Sequence, residues 1–500
     1  MAYYVTTPIY YVNAQPHLGH AYTTIAADVL ARHHRQRGED VFFLTGTDEH
    51  GEPVAEAAAV EGVAPRELAD RNAARFEALM PQLEASNDFF IRTSDPRHER
   101  RVQEVMQRIH DNGHVHKGTY EGWYCPRCAD FKTDQEIGPG NTCPIHKIAL
   151  VRESEENWFF ELSRFQEPLE RLYAERPDFV LPAERRNEAL AFIRSGLRDV
   201  SLSRASLTWG VPVGWDPDQV FYVWFDALLN YYTALGFARD GEDLTDRYWP
   251  ATWHLIGKDI LKFHAVYWPA MLMAAGLPLP EHLFVHGYLL MDGEKMSKSL
   301  GNVLDPFVVM ERFGTDALRY YCLREVSFGQ DGSVSTEGFE SRYETELAND
   351  YGNLASRTIA MIGRYRDGAL PAADHDPALM ADFGALADEV AGLLDRVEPS
   401  AALEAIWVRV RRLNRYVEER APWRLAKDER TAGAELDSVL SSLAEGLRAV
   451  TVALHAYMPE TTSRLLSALG RPGTGWEQAR FAARGEGAAV TALEPLFPKR

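Results

Sequence analysis

Hydrophobic and polar positions change their period several times along this chain, and each change predicts an element. Residues 2–12 (AYYVTTPIYYV) are rich in Tyr, Val, Ile and Thr, side chains that suit a pleated strand. From His17 to about Gly38 the apolar residues Leu18, Tyr22, Ile25, Ala26, Val29 and Leu30 recur at helical spacing, with Gly38 placed as a C-cap. Val41 to Leu44 form a second apolar strand, which ends at Thr45-Gly46-Thr47-Asp48-Glu49-His50-Gly51. This is a βαβ opening. It sets His17-Leu18-Gly19-His20 at a helix N-terminus, where unpaired N–H groups favour anions. It also sets Asp48 just past the carboxyl end of the second strand, the edge where ligands bind in open α/β sheets. No GxGxxG string is present, which disfavours a dinucleotide fold of the dehydrogenase kind.

From about 115 to 204 the texture becomes rich in aromatics, Pro and charge, as in an insertion. Segments of α/β character return at Val220–Leu229, His254–Ile256 and Leu283–Val285. After about 350 the pattern is helical to the end, with breaks near Gly368–Asp376, Pro399, Pro422 and Pro459. The pattern therefore predicts an α/β body, an inserted module and a helical C-terminal domain.

Five hundred residues at 46% hydrophobic content are enough for two to four domains. The net charge of −20 argues against a general nucleic-acid coat protein but leaves room for a folded RNA partner, because local stripes steer binding. One such stripe, Arg409, Arg411, Arg412, Arg415, Arg420, Arg424 and Lys427, reads first as a solvated helix face. The first residues lack the pattern of a secretion signal, and no apolar run is long enough to span a bilayer. A cytoplasmic protein with no membrane partner is expected.

Lysine usage adds chemistry. The chain has nine lysines, and four of them (Lys258, Lys262, Lys295, Lys298) fall in one short window that ends in Lys295-Met296-Ser297-Lys298-Ser299. Lysine is a compact point charge on a flexible stem, suited to phosphate oxygens. HLGH and KMSKS together supply groups able to stabilise charge that builds as a bond to pyrophosphate breaks. Cys125-Pro-Arg-Cys128 and Cys143-Pro-Ile-His146 form two C-x₂-[CH] knuckles separated by fourteen residues. Four such ligands close a tetrahedron, so one structural Zn²⁺ is expected on Cys125, Cys128, Cys143 and His146.

HLGH after a first strand with KMSKS far downstream resembles the signature of class I aminoacyl-tRNA synthetases. TPIYYVNAQPHLGH, LTGTDEHG, FYVWFDALLNYY, LIGKDILKFH, VHGYLLMDGEKMSKS, NDYGNLASR and RYVEERAPW narrow the resemblance to the methionyl-tRNA synthetase family. It spans essentially the whole chain. It implies a Rossmann-type parallel-sheet catalytic domain (1–114 and 205–290) split by a zinc-knuckle connective peptide (115–204), then a KMSKS-bearing linking domain (291–350). An all-α helix-bundle anticodon-binding domain (351–500) completes the chain. It further implies activation of L-methionine with Mg²⁺-ATP to methionyl-adenylate, then transfer to tRNA(Met).

Carried over residue by residue, the resemblance puts Asp48 on the methionine amine. Ile9, Tyr11, Trp224, Ala227, Leu228, Tyr231, Ile260 and His264 take the side-chain pocket, whose aromatic wall suits a thioether. His17, Gly19, His20, Gly257, Asp259 and Lys298 fall at ATP, Lys295 clamps phosphate with Lys298, and Arg204 lies near the reacting carboxylate and phosphate. Asn353, Arg357 and Trp423 match the readers of the CAU anticodon; stacking an unpaired base on an indole is a usual way to read a loop. Many relatives carry a C-terminal extension that dimerises or binds tRNA, and its lack here makes a monomer the expectation. The insertion is too short for the large editing domain of the leucine, isoleucine and valine enzymes.

Overall fold

The computed structural model describes residues 2–127, 130–132, 137–145, 147–291, 294–295, 305–428 and 433–499. The opening is the expected βαβ unit: β1 (Ala2–Thr6) and β2 (Tyr10–Tyr11), α1 (Leu18–Gln36) and β3 (Asp40–Asp48). The predicted strand over 2–12 is thus broken. Pro8 has no N–H to give a ladder. Between the pairs Thr6↔Leu44 and Tyr10↔Thr47 the chain advances four residues on one side and three on the other, so residues 7–9 form a bulge.

The central sheet is parallel throughout. β4 (Phe89–Arg92) flanks β3, β3 pairs with β1 and β2, and β1 pairs with Trp253–Gly257. The order then continues through His282–His286 to Val180–Leu181. From β1 the chain winds outward first to one side and later to the other, which leaves a crevice at the carboxyl ends on either side of β1.

Side chains alternate between two cores, as a sheet covered on both faces requires. Tyr3, Val5, Val41, Phe43, Trp253, Leu255 and Phe284 join the core under α1, which is continuous with the helical domain. Tyr4, Phe42, Leu44, Ile91, Ile256, Leu283 and Val285 join the other, with α4 (Pro96–Asp111) and the helices Gln166–Glu175 and Ala183–Arg194. Between them, α2 (Glu52–Glu61) and α3 (Pro65–Gln82) pack a small separate core.

The inserted stretch is not one body. Val115–Cys125, Asp130–Lys132, Val151–Phe160 and Val200–Ser201 form an antiparallel sheet, yet Val180–Leu181 returns to edge the central sheet. A two-residue strand leaves no periodic signal, so the sequence pattern could not separate it. The chain is continuously helical from Thr336 to Arg366, with Tyr343–Gly352 widened to a π-helical run, and it passes through the expected boundary at 350. The last stretch departs from all-helical texture: Ala488–Ala489 pairs with Ala369–Leu370, and residues 471–499 are mostly irregular.

One buried ion pair joins these parts. Asp28, in the middle of α1, receives Arg319 Nη2 at 2.7 Å, Arg32 Nε at 2.7 Å and both donors of Ser86 at 2.6 Å. Arg319 is fully buried and also donates to the carbonyls of Leu83, Ala456 and Tyr457. Burial alone would push the Asp28 carboxyl up, but Arg319, Arg32 and Ser86 outweigh it and hold it below its ordinary value. A depressed carboxyl stabilises the fold above its unfolded value of about 3.9, and that contribution fades as pH falls through the folded value. Arg319→Met should cost roughly 3 kcal/mol and lower the urea midpoint. It should also flatten the acid limb of stability, read by urea titrations between neutral and acid pH.

Candidate active site

A cavity of about 460 Å³ opens at the crevice beside β1. Its walls come from the carboxyl ends of β1, β3 and the strands ending at Gly257 and His286, and from the start of α1 and the helices after Tyr222. The bulge at 7–9 brings Pro8, Ile9, Tyr10 and Tyr11 all to its lining.

The α1 start is built by its own histidines. His17 is the N-cap, and its Nδ1 accepts from Gly19 N–H at 3.1 Å. His20 reaches back, and its Nδ1 accepts from His17 N–H at 3.1 Å, with the two rings stacked at 3.8 Å. This is a reciprocal capping box made of imidazoles. An Nδ1 that accepts leaves the ring proton of each imidazole on Nε2. Burial, and then His17, hold His20 well below its ordinary value. A Cβ on Gly19 would lie 3.0 Å from the His17 ring and crowd the cap.

Asp48 ends β3, is buried, and its Oδ1 has no hydrogen-bond partner among the described residues. Burial raises its carboxyl well above the ordinary value, and the Asp226 and Glu49 carboxylates raise it further. An ammonium is the group that would relieve both. Above it stands an aromatic wall: Trp224 stacks on Phe263 at 3.8 Å and meets Tyr11 and His264 edge-on. His264, in the π-helical turn Phe263–Tyr267, donates from Nδ1 to the Ile260 carbonyl at 3.0 Å. Its Nε2 therefore accepts from the Tyr231 hydroxyl at 2.8 Å, and burial lowers its pKa to about 4. The result is a neutral apolar pocket with a single carboxylate, lined also by Ala227, Leu228 and Ile260.

On the other side lie Gly257, Asp259 and residues 286–289. A Cβ on Gly257 would sit 2.7 Å from Asp259 Oδ1 and displace that carboxylate. His286 donates from Nδ1 to the Gly287 carbonyl and meets Thr23 through Nε2, both at 2.8 Å.

A sequence profile of the family described as tRNA synthetases class I (M) matches residues 3–151 and 140–359. A methionine–tRNA ligase of Streptomyces coelicolor is 47% identical over 100% of this chain and 96% of its own length. One from Caldanaerobacter subterraneus subsp. tengcongensis is 44% identical over 99% of this chain and 78% of its own. The Mycobacterium tuberculosis methionyl-tRNA synthetase in complex with methionyl-adenylate superposes with a TM-score of 0.96 at 41% identity, covering 100% of both chains. The free-state structure of that enzyme gives 0.88 at 38% identity. The chain belongs to the methionine–tRNA ligase family.

Within this family frame, the sequence placed Ile9, Tyr11, His17, Gly19, His20, Asp48, Trp224, Ala227, Leu228, Tyr231, Gly257, Asp259, Ile260 and His264 at the site, and all of them line the one cavity. Arg204 does not. It is buried with its guanidinium 4.2 Å from the Tyr222 ring centre, donating to the carbonyls of Ser201 and Ser203. The Lys295 backbone pairs with Leu290 in a hairpin next to Leu289 of the cavity, while Lys298 lies outside the described residues. The other two lysines of the cluster have neighbours of their own: Lys258 pairs with Asp331 at 2.5 Å, and Lys262 lies over the Phe263 and Tyr267 rings.

Asn353 and Arg357 share one face of Asn353–Arg366, and the Arg357 guanidinium lies 5.9 Å from the Trp423 ring centre. The basic stripe beside them is largely ion-paired: Arg409 with Glu389, Arg411 with Glu404, Arg412 with Asp382 and Arg420 with Glu435. Cys125 and Cys143 are buried in one small cluster with Leu150; Cys128 and His146 lie outside the described residues.

Sequence reasoning missed Thr23, Asn230 and His286. The quoted motif strings FYVWFDALLNYY and VHGYLLMDGEKMSKS contain the last two, but only the fold shows that they reach the cavity. A cationic ligand seated on Asp48 should bind more tightly as pH rises toward the raised value of that carboxyl in the empty pocket. Below that value, binding should release a proton, which calorimetry in buffers of different ionisation enthalpy will count.

Proposed function

We propose that this chain activates L-methionine with ATP, forming methionyl-adenylate and pyrophosphate, and then transfers methionine to the terminal ribose of tRNA(Met). The observation that carries this reading is the joining, in one cavity, of a buried carboxylate with one oxygen unpartnered among the described residues, under an aromatic wall, to a histidine-capped helix start. The ammonium of methionine sits on Asp48, and the thioether packs among Tyr11, Trp224 and His264, where a polarizable sulfur gains from ring contact. Neutral Tyr231 and His264, already bonded to each other, offer no charge that would favour a polar side chain.

The methionine carboxylate then attacks the α-phosphorus in line, and the bond to pyrophosphate breaks. The outward Nε2–H donors of His17 and His20, with the N-terminus of α1, meet the charge that develops. Gly257 and Asp259 hold the ribose and Lys295 and Lys298 clamp the phosphates, while Arg204, seated outside the cavity lining over Tyr222, would have to swing in to serve the reacting carboxylate and phosphate. Mg²⁺, carried in with ATP, neutralises phosphate charge when bound. No protein nucleophile takes part, so catalysis is positioning and electrostatics.

For the tRNA, the face bearing Asn353, Arg357 and Trp423 receives the CAU anticodon. The half-buried Trp423 indole supplies a stacking platform, and Arg357 beside it supplies donors. The enzyme acts as a monomer in the cytoplasm; none of the helices among the described residues is long and apolar enough to cross a membrane.

One Zn²⁺ completes the inserted module. Cys125 closes a strand, and Cys143 opens a tight turn in which Lys147 N–H donates to the Cys143 carbonyl at 2.8 Å; both thiols reach the same buried cluster. Cys128 and His146 would supply the other two ligands. A closed shell of this kind contributes folding energy and no reaction step.

Pyrophosphate exchange across the twenty amino acids should respond to methionine, and the enzyme should charge tRNA with a CAU anticodon far better than with an altered one. Lys298→Ala should lower the exchange rate on the order of a hundredfold with little change in methionine affinity; an unchanged rate would remove the lysine from the mechanism. Elemental analysis should find one zinc per chain, and Cys143→Ser should lose it together with thermal stability, whereas a full zinc content in that variant would refute the ligand set.

A further inference from the structure

Beneath the amino-acid pocket, a third carboxylate is gripped from two sides. Asp226 is fully buried, its Oδ2 taking His50 Nδ1–H at 2.6 Å and its Oδ1 taking His98 Nε2–H at 2.7 Å. Both histidines are buried as well. The three residues come from three elements: the loop after β3, the helix Val223–Ala227, and α4. We propose that Asp226 is a positioning residue for the substrate ammonium, locking the loop that follows Asp48 against the helix that carries Trp224 and Ala227.

The loop and helix are pressed together at a second point. Gly51 has φ +92°, a conformation other residues rarely adopt, and a Cβ there would lie 3.2 Å from Val223 Cβ. The immediate neighbour of Asp48 is held too. Glu49 is buried and accepts from Arg92 Nε and Nη2 at 2.7 and 2.8 Å, from Thr47 Oγ1 at 2.7 Å and from Ser94 Oγ at 2.5 Å. The Trp209 indole donates to the Glu49 carbonyl at 2.6 Å. Glu49 and His50 are therefore fixed by charged hydrogen bonds, while Asp48 just before them keeps an oxygen unpartnered and ready. On the far side, His98 Nδ1 meets Thr233 Oγ1 at 2.7 Å, which extends the grip past Tyr231.

A carboxylate is the side chain this arrangement needs. Two N–H donors converge on residue 226, and only a carboxylate offers two acceptors of equal strength. An amide would turn an N–H toward one histidine, which must then move its proton to its other ring nitrogen, toward Glu99 for His50 or Thr233 for His98. Asp226 touches no substrate, since it is absent from the cavity lining; it acts through the loop it holds and through the charge it already exerts on Asp48.

The inference rests on Asp48 being the ammonium site, and the experiment separates the two. In pyrophosphate exchange on the whole enzyme, Asp226→Asn should raise the methionine KM about tenfold, with kcat and the ATP KM within about twofold of the parent. Binding of methioninol, which keeps the ammonium, should weaken equally, and inhibition by 4-(methylthio)butanoate, which lacks it, should not change. An unchanged methionine KM, or an equal loss for the analogue without the amine, would overturn the proposal. Should Asp226→Asn fail to fold, His98→Gln and His98→Leu carry the test. Gln retains an N–H toward Asp226 and should keep the parent KM, whereas Leu should reproduce the loss; equal values in the two overturn the clamp. Parent enzyme that shows no methionine-dependent exchange would instead overturn the assigned activity.

Discussion

A carboxylate in the middle of a buried helix stays charged only if cations reach it, and the cation that reaches Asp28 from outside α1 belongs to Arg319. Arg319 has no apolar role: each of its three nitrogens donates to Asp28 or to the carbonyls of Leu83, Ala456 and Tyr457. Those partners lie in α1, in the turn after α3 and in the helical domain, so one guanidinium fixes three segments at once. Gln36 at the end of α1 adds bonds to the Val452 and Thr474 carbonyls, and Arg37 pairs with Asp395. Because breaking a desolvated pair exposes an uncompensated charge, these segments cannot slide past one another by small steps. The helix whose first turn faces the cavity is thus seated along its length on the domain that bears Trp423.

The same helix shows what the sequence could and could not disclose. Its apolar spacing and its Gly38 terminus were legible, and so was the site at its start, because helix N-termini and strand ends are places where chemistry follows from backbone geometry. Arg319 was not legible. In the string TDALRYYCLR, an arginine reads as solvent-facing, and only the meeting of distant segments makes it the most buried arginine among the described residues. Val180–Leu181 is a similar case, a strand recognised by its partners rather than by its pattern. The break at Thr7–Ile9 was signalled by Pro8, but the gain of one residue there depends on register, which no single strand contains.

Within the cavity, motif strings located the pocket better than they ranked its residues. Four lysines in one window invited a common role, yet Lys258 is spoken for by Asp331 and the Tyr288 ring, and Lys262 by aromatic faces. Charge that is already neutralised is a poor phosphate ligand, so these two lysines are ill suited to the role the window suggested. Conversely, Asp226 sits two positions after Trp224 in a string quoted for its aromatics, and nothing in that string distinguishes a structural carboxylate from a binding one. The distinction lies in the two imidazoles brought to it by β3 and α4.

The imidazole cap at the start of α1 has an effect that reaches past binding. In free solution a neutral histidine shares its proton between two nitrogens, and a catalytic group of that kind is correctly set only part of the time. Here the backbone amides of His17 and Gly19 occupy Nδ1 of each ring in turn, so the folded first turn itself chooses where both protons reside. The secondary structure thus fixes the tautomer of both rings. Anything that unwound three residues of α1 would undo that choice without touching a single side chain.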